Sequence, residues 1–144
     1  MEITKGILMK KIISLFTLFL ISTFAFSNEI KIKITNVKAY QGKVVMSIHG
    51  SKESFKNRIS DKTLIMQAAN DEIETTVNLP DGDFSFCVYQ DLNSDGILNS
   101  NLIGIPKEPF GFSNYNGKSA PGNFEKHKVT INQDSELVIQ LFTM

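Results

Sequence analysis

Residues 29–35 read Glu-Ile-Lys-Ile-Lys-Ile-Thr. Ile30, Ile32 and Ile34 alternate with Lys31 and Lys33, and successive side chains of a β-strand point to opposite faces. The stretch is therefore a half-buried strand, with isoleucine toward a core and lysine toward water. The same alternation recurs downstream. Lys43–His49 places Val44, Met46 and Ile48 on one face, after a turn at Tyr40-Gln41-Gly42, so the first two strands read as a hairpin. Thr63–Gln67 and Glu72–Leu79 flank the turn Ala69-Asn70-Asp71. Leu79-Pro80-Asp81-Gly82-Asp83 is turn chemistry, because proline presets φ and glycine permits φ > 0. Phe84–Tyr89 is the most apolar strand and reads as central; His127–Asn132 and Glu136–Phe142 close the chain. Ser51–Asp61 is a polar connection with room for a helical turn. About seven short strands, with no amphipathic helix in this region, predict an all-β chain folded as a single two-sheet sandwich.

Ahead of these strands, Lys10 and Lys11 precede an uncharged run from Ile12 to Ser27. A basic segment, an apolar segment and small residues at Ala25 and Ser27 are the marks of a secretory signal peptide. The apolar part is about 15 residues, shorter than the roughly 20 of a spanning helix. Residues 1–27 are thus expected to be a signal peptide cleaved after Ser27 or Ala25, with Met9 an alternative start. Residues 28–144 are then the β-sandwich domain, exported to the periplasm, the cell surface or the medium, with no membrane span after cleavage. Removing Lys5, Lys10, Lys11 and Glu2 from 15 basic and 15 acidic residues leaves 12 and 14, a net charge of −2. That charge, with no basic run, argues against a nucleic-acid partner. The single cysteine, Cys87, forbids an intrachain disulfide, so a metal is one of the remaining staples for a small exported domain.

About 34 residues separate Gln90 from Glu125 without a strand signal, longer than the roughly 12–15 beyond which loops are usually functional or disordered. Leu102, Ile103, Ile105, Phe110, Phe112, Tyr115 and Phe124 lie in it, so this loop, 91–124, is expected to be ordered and packed by its own side chains. It opens with Asp91, Asn93 and Asp95 at alternate positions, then Gly96, Ile97 and Asn99. That is the spacing of a calcium loop: side-chain oxygens at positions 1, 3, 5 and 9, a backbone carbonyl at 7, and glycine at 6. The predicted donors are Asp91, Asn93, Asp95, the Ile97 carbonyl and Asn99. Position 12, ordinarily a bidentate glutamate, is Leu102, and Glu108 is the carboxylate able to fold back in its stead. With so few carboxylates, Ca²⁺ affinity is expected in the weak class, roughly 10⁻⁴–10⁻³ M. Asx turns without an ion would use the same residue types.

The stretch from Val88 to Asn114, VYQDLNSDGILNSNLIGIPKEPFGFSN, resembles the signature of the DUF2141 family of small exported bacterial proteins of unknown function. Leu79-Pro80 with Gly82, and Ala120-Pro121-Gly122-Asn123-Phe124, extend the resemblance over most of residues 28–144. The chain departs from that pattern at Gln90, where histidine is common, at Asn99, where aspartate is common, and at Gly122, where proline is common. The first two departures remove possible metal ligands. The acidic loop is also similar to calcium loops in the B-type repeats of bacterial surface adhesins. Both resemblances imply an Ig-like or transthyretin-like β-sandwich, and neither supplies an activity.

Among other candidates, Cys87 lies mid-strand and reads as a small buried hydrophobe. His49 and His127 read as lone surface histidines, too few for a zinc site. Asp81 and Asp83 read as solvated turn residues. Phe110, Phe112, Asn114 and Tyr115 would bind a sugar or a protein if exposed, or form the loop's own core if buried; Gly111 and the two nearby prolines suit burial. No catalytic constellation is visible. The expected function is a monomeric, non-enzymatic module that binds a protein or glycan. The alternative is a small carrier or enzyme using residues 104–124 as a pocket.

Overall fold

Strand β1 (Asn28–Thr35) is the middle of a three-stranded sheet, antiparallel to β4 (Ile73–Leu79) and parallel to β8 (Ser135–Gln140). The second sheet is built on β5 (Gly82–Asp91), which pairs antiparallel with β2 (Lys43–His49); β2 pairs in turn with the edge strand β3 (Lys62–Gln67). Along its other side β5 takes two short partners in succession, β7 (Lys128–Ile131) on its first half and β6 (Phe110–Phe112) on its second. These coordinates are a computed structural model that describes residues 27–144. The signal-peptide reading of residues 1–27 lies, apart from Ser27, outside the described residues. Among the described residues no helix is long and apolar enough to cross a membrane.

The alternation places the core as expected. Ile30, Ile32 and Ile34 meet Val44, Met46, Ile48, Phe86, Val88, Ile139 and Leu141 between the sheets, each burial stabilising by roughly 1.5–3 kcal/mol. Among the described residues two short helices lie outside the sandwich. The first, α1 (Lys52–Asn57), starts at a capping box in which Ser51 Oγ accepts from the Ser54 N–H and Ser54 Oγ accepts from the Ser51 N–H. The second, α2 (Phe124–His127), is capped by Asn123, whose Oδ1 accepts from the Lys126 N–H. His127 therefore ends a helix, and β7 begins one residue later than the sequence suggests.

Among the described residues eight strands form, one more than the seven stretches read from sequence. The additional one, β6, lies inside the stretch 91–124 read as a single loop. Three residues are too few for an alternation signal, and β6 exists because of distant partners. It pairs with β5, and the Phe110 N–H and C=O exchange hydrogen bonds of 3.0 and 2.8 Å with Phe142, just beyond β8. That exchange joins the two sheets along one side. Gly111 permits it, since a Cβ there would stand 2.3 Å from the Gln140 carbonyl oxygen.

Candidate functional site

Strand β5 ends at Asp91 and delivers the chain into the acidic loop. Asp91 is buried, and its carboxylate accepts from the backbone N–H groups of Asp95 at 3.1 Å and Gly96 at 2.8 Å. This folds the loop back over its own first residue, and the Tyr89 hydroxyl donates to the Gly96 carbonyl at 3.0 Å. Asp95 is the centre of the exposed half. It accepts from the Asn93 amide at 2.9 Å, the Asn99 amide at 2.8 Å and the Ile97 N–H at 2.9 Å; the Asn99 amide also donates to the Ile97 carbonyl at 3.2 Å. Those bonds hold the Asp95 carboxyl below the usual carboxylate range, Asn99 contributing most.

Four of the six predicted residues are thus brought together, Asn93, Asp95, Ile97 and Asn99, with the Asn93 and Asn99 amide nitrogens rather than their oxygens toward Asp95. Asp91 and Glu108 are bonded to backbone N–H groups. Glu108 is buried and accepts from Leu92 at 2.9 Å and Asn99 at 3.1 Å. It does fold back, and in doing so clamps the two ends of the acidic loop.

Beyond Asn99 the chain forms a narrow hairpin. The Lys107 N–H donates to the Asn99 carbonyl at 2.8 Å, the Asn101 N–H to Ile105 at 2.8 Å, and the Gly104 N–H to Asn101 at 3.0 Å. The Asn101 side chain accepts from the N–H groups of Ile103 and Ile105. Leu102 and Ile103 form the apex, 107% and 79% exposed. The expectation that these two pack within the loop is overturned: a tight turn leaves its central side chains no neighbour.

The aromatic segment turns inward. Phe110 is 1% exposed and packs edge-on to Phe112 at 6.1 Å. Phe112 stacks on His127 at 4.7 Å, and Phe55 of α1 and Tyr115 close around them. Tyr115 is half-buried and donates its hydroxyl to Ser119 at 2.7 Å; Asn114 is exposed, its amide on the Lys128 carbonyl at 2.8 Å. The two surface depressions described lie instead on the outer faces of the two sheets, one lined by Lys31, Glu74 and Glu136, the other by Lys43, Ile65 and Tyr89. No residue of 104–124 lines either one.

The profile of the family described as "Uncharacterized protein conserved in bacteria (DUF2141)" matches residues 32–140, from β1 through both sheets and the loop to the end of β8. The chain belongs to this family. No curated protein and no solved structure matches it.

Gln90, which the family resemblance read as standing in for a ligand, is fully buried on the side of β5 away from the acidic loop. Its amide donates to the Lys38 and Gln41 carbonyls at 2.7 and 2.6 Å and accepts from the Lys38 N–H at 2.8 Å. The idea that this departure removes a ligand is corrected, because neighbouring strand residues point to opposite faces. Gln90 instead ties the β1–β2 turn to β5.

Both histidines are buried, not at the surface. The His127 ring is held on both nitrogens: Nδ1 donates to the Ser113 carbonyl at 3.1 Å, and Nε2 accepts from the Gly122 N–H at 2.9 Å. Burial pushes the pKa of His127 and of His49 below 6.5. Between the lowered folded value and 6.5 the unfolded chain binds more protons, so stability is full above about pH 6.5 and declines as pH falls through it. Denaturant titrations between about pH 7.5 and 5 read the decline; His127→Gln should flatten the slope, and an unchanged slope would remove His127 from this role. Burial raises the Cys87 thiol to about 12, so it stays protonated at neutral pH.

Proposed function

We propose that this chain is an exported, non-enzymatic binding module that holds Ca²⁺ weakly in its acidic loop and presents the adjoining hairpin to a protein partner. The observation that carries the reading is the hairpin apex. Leu102 and Ile103 stand in water on a turn where polar residues and glycine are the rule, on a hairpin that Glu108 clamps at its base. A pair of aliphatic side chains suits an apolar slot on a protein. A glycan would call for exposed aromatic faces, and here Phe110 and Phe112 face inward.

The donor set at Asp95 is all oxygen once the Asn93 and Asn99 amides rotate to present Oδ1, and such a set suits a hard cation. Asp95, Asn93, Asn99 and the Ile97 carbonyl would hold the ion, with Asp91 setting the loop's shape. Export rests on the Lys10-Lys11 and Ile12–Ser27 pattern. A protonated Cys87 and a His127 engaged on both nitrogens favour a non-enzymatic role.

The test joins stability to capture. About 5 mM CaCl₂ against EDTA should stabilise the protein by about 1–2 kcal/mol, a gain of several degrees in Tm that Asp95→Ala abolishes. Capture from cell-envelope extract should retain a protein in calcium that a Leu102→Ser/Ile103→Ser variant of unchanged Tm does not. No calcium shift would remove the ion. Identical captures would remove the hairpin as the binding surface.

A further inference from the structure

Strand β3 pairs with β2 on one side, and among the described residues no strand pairs with its other side. A free edge is a row of unpaired N–H and C=O groups, which proteins commonly guard with charge, proline or a bulge. The free edge of β4 is guarded in this way, with Glu74 on its outer face and Glu72 beside it in an ion pair with Lys33. β3 carries a single charge, Lys62 at its first residue, and from Thr63 to Asn70 there is neither a charge nor a proline. Ile65, in the middle of β3, is 65% exposed.

Ile65 is also the end of a row. It lies opposite Val45 on β2, and Val45 lies opposite Tyr89 on β5, all three on the outer face of the sheet. The rows on either side are more polar: Gln67, Lys43 and Asp91 on one, Thr63 and Ser47 beside the half-buried Cys87 on the other. An apolar stripe crosses three strands and stops at an open edge.

We infer that a second copy of this chain continues it, β3 pairing antiparallel with β3 about a two-fold axis at Ile65. Side-chain parity carries the inference. Residues directly opposite in an antiparallel pair share a face, so an odd shift would set inward residues against outward ones. With Ile65 opposite its own copy, Leu64 meets Met66 of the second copy on the inner face and Thr63 meets Gln67 of the second copy on the outer face. From residue 63 to residue 67 apolar meets apolar and polar meets polar, and Lys62 falls opposite Ala68 only at the two ends of the contact. Moving the axis to Leu64 sets Ile65 against Thr63 and Lys62 against Met66. Moving it to Met66 sets Ile65 against Gln67. Only the Ile65 register makes the stripe continuous, as Tyr89, Val45, Ile65 and then Ile65, Val45, Tyr89 of the second copy. The contact is isologous and uses up both edges, so it stops at two copies. This departs from the monomer expected from sequence.

Sedimentation of the purified protein between about 1 and about 300 µM tests it, the range suited to a small strand-edge contact. The mass should rise to that of two copies with concentration, and Ile65→Lys should hold it at one copy with its circular dichroism unchanged. In a Cys87→Ser background, Ile65→Cys should give disulfide-linked pairs on oxidation, because facing Cα atoms lie within disulfide reach. Gln67→Cys in the same background should not. A single-copy mass at every concentration would overturn the inference, as would dimers that survive Ile65→Lys.

Discussion

Gly42→Ala is expected to destabilise the protein by about 3 kcal/mol or more, far beyond a typical single-methyl change. Two costs combine at this position. Its φ is +59°, which penalises any L side chain by roughly 1–2 kcal/mol. A Cβ there would also lie 1.9 Å from the Asp91 carbonyl oxygen and 2.9 Å from the Leu92 Cα, and overpacking against backbone adds about 1–3 kcal/mol. The next residue, Lys43, pairs with Asp91 at the end of the β2–β5 ladder. Relief of the clash must move Asp91 and draw its carboxylate away from the Asp95 and Gly96 N–H groups. Gly42→Ala should therefore also weaken the calcium-dependent rise in Tm. Gly104→Ala is the control, with φ +80° and no atom within 4 Å of the added Cβ. It should cost about 1 kcal/mol. Equal costs for the two variants, read from denaturant midpoints, would mean that the approach of residue 42 to Asp91 does not matter.

Phe86→Ala is expected to cost about 3–5 kcal/mol, the range for removing a buried aromatic ring. Phe86 is fully buried at the centre of β5, opposite Ile48, with the isoleucines of the three-stranded sheet in the same core. β2 holds its backbone on one side and Ser113, just past β6, on the other, and the cavity left behind has little freedom to collapse. The Phe86 N–H also donates to Ser113 Oγ at 3.0 Å, and its carbonyl accepts from the Ser113 N–H at 2.9 Å. The same Oγ donates to the His127 carbonyl, so the loss should reach the aromatic cluster outside the sheet. Against a total of about 5–15 kcal/mol for a domain, a change of this size removes a large share of the stability. The denaturant midpoint should fall with an unchanged m value. A cost below about 1 kcal/mol would mean that Phe86 is not a core residue.

The acidic loop illustrates how far pattern reading reaches. Asp91, Asn93, Asp95, Ile97 and Asn99 could be picked out because their spacing is local, and the structure brings Asn93, Ile97 and Asn99 around Asp95. The division of labour among them could not be read. Asp91 faces the backbone N–H groups of Asp95 and Gly96, and Glu108 bonds to Leu92, 16 residues away. The family resemblance made Gln90 look like a lost ligand, yet its side chain belongs to the opposite face of β5. The exposed apex was missed for a similar reason: Leu102 and Ile103 resemble core residues until a tight turn at Asn101–Gly104 strips them of neighbours.

What the amino-acid order determined by itself was the strand content, the inward face of nearly every strand, and the residues of the acidic loop. Each follows from contacts between residues near in sequence: alternation across a pleat, φ preferences at turns, and the short reach of Asx side chains. Only the tertiary structure decided that Phe110–Phe112 is a strand, that His49 and His127 are buried, that Glu108 clamps the hairpin, and that β3 is left with an open edge. Those outcomes rest on hydrogen bonds and packing between segments tens of residues apart, such as Phe110 with Phe142. No local periodicity encodes such pairings, because they form only when two whole sheets have already been brought together by burial of their apolar faces.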